Sequence, residues 1–207
     1  MADAAVATPT AGVHGATEHG QSSTGISNTK LAMWIFLGSE CLLFGGLIST
    51  YLLYKNRIAQ GDIGPDDVFD IEFTSVSSFV LLLSSLTMVL ALSALQRGDE
   101  RNNRVWLITT AVLGATFIGG QVYEFTAFYN EGLGYTTNIF GSAFYTLTGF
   151  HGVHVSVGII MLMSLVIRSF RGHLHREQAE TVEIVGLYWH FVDVVWILIF
   201  TVVYLIP

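Results

Sequence analysis

The stretch VGLYWHFVDVVWILIFTVVYLI, from Val185 to Ile206, is apolar almost from end to end and yet carries His190 and Asp193 near its centre. Crossing the hydrocarbon core of a bilayer takes roughly 20 residues in helical form. Lipid offers the backbone no hydrogen-bond partners, so a run of this length must satisfy its own as a helix. Working back towards the amino terminus, comparable runs lie at about 142–167, 105–129, 73–95 and 31–54, and Pro9, Pro65 and Pro207 all fall outside them. The expectation is an all-α integral membrane bundle of five transmembrane helices in one domain, residues 30–207. No internal repeat is visible, and an odd number of spans fits poorly with inverted symmetry.

Composition agrees with this class. Of 207 residues 52% are hydrophobic and only 12% charged, and the mean hydropathy is +0.57, values foreign to a soluble domain of that size. The net charge of −7 is confined to short segments between the runs, so its placement informs more than its sum. Nothing suggests a nucleic-acid partner. The single cysteine, Cys41, rules out an internal disulfide and a thiolate pair for a metal. Residues 1–29, rich in Ala, Gly, Ser and Thr and carrying His14 and His19, lack the pattern of a cleaved signal peptide and read as a flexible tail.

Seven basic residues, Lys30, Arg97, Arg101, Arg104, Arg168, Arg171 and Arg176, fall on the amino-terminal side of the bundle, against Lys55 and Arg57 on the other. The positive-inside rule then makes the amino terminus cytoplasmic and the carboxyl end extracytoplasmic. Trp34, Trp106 and Trp189 fall near predicted inner ends, and Tyr51, Tyr54, Tyr129 and Tyr204 near outer ones, as an interfacial aromatic belt would have them. The acidic run Asp62, Asp66, Asp67, Asp70 and Glu72 then hangs outside as a solvated loop. Small residues at helical spacing, such as Gly45 with Ser49, Ala115 with Gly119 and Gly152 with Ser156, allow helices to approach closely but name no function.

Ionisable side chains at bilayer depth are costly and mark candidate sites. Six occur here: Glu40 in the first run, Glu124 in the third, His151 and His154 in the fourth, His190 and Asp193 in the fifth. At about 1.5 Å of rise per residue, Glu40, His154 and Asp193 come out roughly 14 to 20 Å from the inner ends of their helices and can meet near mid-membrane. The pairs His151 with His154 and His190 with Asp193 are each spaced to share a helix face. Three readings of this set stay open: mutual satisfaction that pins the bundle in register, a proton relay, or ligation of a metal or haem. Three histidines are too few for two haems and a copper, though a single bis-histidine haem stays formally open.

Several of these residues sit in motifs that resemble one family. Gly38-Ser39-Glu40 followed by Cys-Leu-Leu-Phe44, Gly149-Phe-His151-Gly-Val-His154, and above all Tyr188-Trp189-His190-Phe-Val-Asp193-Val-Val-Trp196 are similar to sequences of subunit III of the haem-copper terminal oxidases. Gln121-Val-Tyr-Glu124-Phe resembles a looser pattern of the same family. Many members carry two further helices at the amino end that help form a lipid-filled cleft, so this chain looks like the five-helix bacterial variant, and no lipid ligands carry over.

The resemblance implies a non-catalytic subunit that packs against catalytic subunit I, beside subunit II and a small subunit IV, and supports proton uptake during oxygen reduction. It implies no cofactor in this chain, haem and copper in the partner subunits, bound phospholipid, and residence in the bacterial plasma membrane. By the same resemblance, Glu40 is the buried carboxylate that lies apart from the catalytic proton channels. The electron donor, cytochrome c or a quinol, is open at this stage. The competing readings are a small proton-coupled transporter, which would need broken helices around a midplane site, and a cytochrome b-like electron carrier.

Overall fold

A computed structural model describes residues 27–55, 57 and 70–206. Five helices are long and apolar enough to cross a membrane: α1 Asn28–Tyr54, α2 Ile71–Gln96, α3 Glu100–Asn130, α4 Ile139–Phe170 and α5 Ala179–Phe200. No strand occurs among the described residues. A 3-10 turn, Arg176–Gln178, leads into α5, and a π-helical turn, Thr201–Leu205, follows it. That turn is closed by the Ile206 N–H donating to the Thr201 carbonyl at 3.0 Å.

The helices overrun the apolar stretches because polar residues beyond them cap the ends. Side chains of Ser27, Asp70, Asp99 and Asn138 accept from backbone N–H groups of the first turns of α1 to α4, satisfying donors that a helix start leaves orphaned. Thus α1 begins at Asn28, slightly inside the segment read as tail, and residues 1–26 of that tail lie outside the described residues, as do Asp62, Asp66 and Asp67 of the acidic run. At the other end of α2 and α4, Gly98 and Gly172 take φ of 80° and 70°. Asp99 N–H then reaches back to the Ala94 carbonyl and His173 N–H to that of Arg168, a reversal only glycine makes without strain.

Helices α2, α3, α4 and α5 form a ring in which each packs on its two neighbours, while α1 lies outside it against α4 and α5. Only Leu37, Phe44 and Tyr51 of α1 are buried, one residue in seven along a single line. In lipid, helix association rests on close packing and on polar contacts, not on expulsion of water. Both are concentrated in the ring. Trp189 is clamped between Gly114 on α3 and Gly158 on α4, where an added Cβ would fall 2.5 Å and 2.7 Å from its ring carbons. Trp196 lies 4.8 Å, centroid to centroid, from Phe117.

Candidate functional site: the intramembrane polar groups

The polar residues separate into groups at different helix interfaces. On the outer flank, where α1 meets α4, His154 Nε2 is 3.1 Å from Oε2 of Glu40, and both side chains are about 15% exposed, 15% and 14% respectively. The other ring nitrogen, Nδ1, lies 2.7 Å from the Phe150 carbonyl. A carbonyl only accepts, so Nδ1 carries a hydrogen, and Nε2 and Glu40 share one further proton between them. That proton sits on the carboxyl in a neutral pair or on the imidazole in an ionic one. Phe44 stands edge-on to the ring at 5.0 Å, and the Tyr188 hydroxyl donates to the His154 carbonyl at 2.9 Å. A groove of about 240 Å³, lined by Met33, Phe36 and Tyr188 among others, opens beside His154.

A second group lies where α2 meets α5. His190 and Asp193 share a helix face, as their spacing requires, and that face is turned towards α2. Ser85 Oγ is 2.6 Å from His190 Nδ1, and the same serine approaches the Asp193 carboxyl only loosely, leaving both buried carboxyl oxygens short of a full hydrogen bond. The indole N–H of Trp189 donates to Ser84 Oγ at 2.9 Å, and that of Trp196 to Ser78 Oγ at 2.8 Å. Further along, Thr74 on α2 hydrogen-bonds to the Glu124 carboxyl on α3, and Thr87 Oγ1 is 2.8 Å from Thr110 Oγ1. The one span without an intramembrane acid or histidine therefore supplies most of the partners. None of these serines and threonines was singled out from the sequence, where Thr74, Ser78, Ser84, Ser85 and Thr87 stand among other hydroxyls of the same run, Ser75, Ser77 and Ser93.

His151 is fully buried and stands apart from its neighbour His154. Its Nε2–H donates to the Val192 carbonyl at 3.3 Å, its ring lies 4.8 Å from Trp196, and Nδ1 has no partner. Among the described residues no group of three or more His, Cys, Asp or Glu side chains is arranged to hold a metal ion. A bis-histidine haem does not fit either, since His151, His154 and His190 address Val192, Glu40 and Ser85 on three separate surfaces. At the end of the bundle that carries the basic residues, Lys30 pairs with Glu183 at 2.5 Å. There too, Arg104 Nη2–H donates to the Ser169 carbonyl at 2.9 Å and its guanidinium carbon sits 4.5 Å from the centre of the Phe170 ring.

Such an arrangement defines a multi-pass membrane protein whose ionisable groups bind helix to helix. A family model described as cytochrome c oxidase subunit III matches residues 12–206, and the chain belongs to that family. It is 41% identical over 178 residues to cytochrome c oxidase subunit 3 of Bacillus sp. strain PS3, covering 86% of each chain. To quinol oxidase subunit 3 of Bacillus subtilis strain 168 it is 41% identical over 185 residues, 89% of this chain and 90% of the relative. Cytochrome c oxidase subunit 3 of Thermostichus vulcanus is 38% identical over 179 residues, 85% of this chain and 86% of that one.

Proposed function

We propose that this chain works as the non-catalytic subunit III of a haem-copper terminal oxidase in a bacterial plasma membrane, amino terminus on the cytoplasmic side. In this role it packs beside catalytic subunit I, with subunit II and a small subunit IV in the same complex, and supports proton uptake while oxygen is reduced. Haem and copper belong to the partner subunits, and phospholipid binds beside this chain. The observation that carries the reading is the division of the intramembrane acids and histidines among separate helix interfaces. A scaffold needs such ties; a proton-coupled transporter needs its groups gathered along one path between broken helices, and a haem carrier needs two facing imidazoles.

Relatives named for cytochrome c and for quinol oxidation reach the same 41% identity. The donor is therefore a property of the partner that binds it. Glu40 and His154 hold one exchangeable proton at the flank and act as a local clasp, outside the catalytic proton route.

Purification under mild detergent tests the proposal. A large polypeptide bearing haem and copper should travel with the chain, and the separated chain should show no haem absorption. Repeated recovery of this protein alone and stably folded, or haem at unit stoichiometry in the separated chain, would overturn it.

A further inference from the structure

Between α3 and α4, on the side of the ring facing away from α2 and α5, runs a second groove of about 310 Å³. Its wall includes Gln121, which is only 5% exposed, and whose side-chain carbonyl has no hydrogen-bond partner. The carbonyl lies over Gly152, 3.5 Å from where a Cβ on that residue would stand. No hydroxyl in the groove serves it: Thr148 donates to the Phe144 carbonyl at 2.7 Å and Ser156 to the Gly152 carbonyl at 2.8 Å. Water is no ready substitute either, because Gln121 lies about 13 Å from the Asn130 end of its helix at about 1.5 Å per residue.

We propose that this groove seats a membrane-spanning helix of another subunit of the same oxidase, one of whose side chains donates a hydroxyl or amide hydrogen to the Gln121 carbonyl. The inference rests on the reading of the chain as an oxidase subunit and adds the face by which it docks. Two features choose a helix over a lipid. An acyl chain has no donor to offer an acceptor held at this depth, whereas polar side chains bridge neighbouring helices there. The wall on α4 is also cut low by Gly149, Gly152 and Ser156, one turn apart or nearly so, which admits a backbone at close range. A Cβ at Gly149 would meet nothing of this chain within 4 Å, so that depression is unfilled by the protein itself. The rim is apolar and open, with Val122 and Val153 60% and 61% exposed.

The test uses the whole purified oxidase. A photo-reactive amino acid at Val122 should join this chain to another polypeptide of the complex, identified by mass spectrometry, while the same probe at Phe79, on the outer face of α2, gives no such product. Adducts of lipid mass alone at Val122, or none, would overturn the proposal. Gly149→Leu, built out from a Cβ that meets nothing of its own chain within 4 Å, fills the groove: it should leave the amount of this chain in the membrane unchanged and lose the haem that co-purifies with it. Full retention of haem in that variant would also overturn the docking face. If the unaltered chain brings no haem-bearing polypeptide at all, the reading as an oxidase subunit falls first and this inference with it.

Discussion

His154 holds Glu40 with one ring nitrogen and the carbonyl of Phe150, one turn back on its own helix, with the other. The backbone contact fixes the imidazole in place, so the only freedom left is where the shared proton sits. Glu40→Gln keeps the shape of the contact: an amide N–H donates to Nε2, and the backbone contact of Nδ1 is undisturbed. Steady oxygen reduction should stay largely intact in the assembled complex, and stability should change by less than about 1 kcal/mol. Glu40→Leu strands Nε2 and should cost about 1–3 kcal/mol, read as a lower midpoint of thermal unfolding in detergent. Near-complete loss of oxygen consumption in an assembled Glu40→Gln oxidase would show that the pair lies on the catalytic proton route.

Trp189 is pinned from both sides and by its N–H. Gly158→Ala should drive a methyl group into the indole and destabilise the subunit by about 1–3 kcal/mol, with a shift in tryptophan emission. Gly119→Ala, whose Cβ would meet nothing within 4 Å, should change stability by no more than about 0.5 kcal/mol. Ser84→Ala leaves the buried indole N–H without its acceptor and should fall between the two in emission and nearer the first in stability.

Outside the spans, His175 and Glu100 tie the lead-in to α5 to the start of α3 at 2.7 Å. The hydrogen bond and charge of Glu100 hold the imidazole above its usual 6.5. A group raised on folding contributes fully below its unfolded value and loses that contribution as pH climbs through the folded one. Asp99 runs the other way: the Asn102 N–H holds it below its usual 3.8, so its contribution is present above that value and fades as pH falls through the folded one. The start of α3 is therefore most secure between the two, from about pH 4 to about pH 6.5. Both groups face water, so the effect is local and small. Histidine-labelled NMR should show the His175 midpoint dropping in Glu100→Gln; an unmoved midpoint would refute the tie.

Removing residues 2–25 should leave assembly and turnover unchanged. Ser27 starts α1, accepting from the Lys30 N–H at 3.3 Å and donating to the Glu180 carboxylate, so the cap and its link to α5 survive the deletion. A deleted form that no longer joins the oxidase would assign the amino-terminal segment a role of its own.

The membrane crossings were legible because hydropathy responds to the one property lipid selects. Where the helices end was less so: Asp70, Asp99 and Asn138 depress hydropathy while they start helices, so the second, third and fourth crossings were read short. Depth arithmetic brought Glu40 to His154 correctly, since both positions follow from rise per residue. It set Asp193 at a similar depth but could not assign the face it points to, and the structure turns it towards Ser85 on α2. The hydroxyl partners on α2 went unread for a related reason. Serine and threonine spend their hydrogen bonds on their own backbone carbonyls so readily, as Ser75, Thr109 and Thr116 do, that sequence alone does not separate those that reach across to another helix.

The clasp between Glu40 and His154 joins residues 114 positions apart. A ribosome adding about 5–20 residues per second needs on the order of ten seconds to make that stretch. For that time α1 has been made and α4 has not, and the Glu40 carboxyl group is without the imidazole that will receive it. The insertion machinery, or a protonated and therefore uncharged Glu40, must carry it through the delay, which makes the order of synthesis part of how this subunit is built.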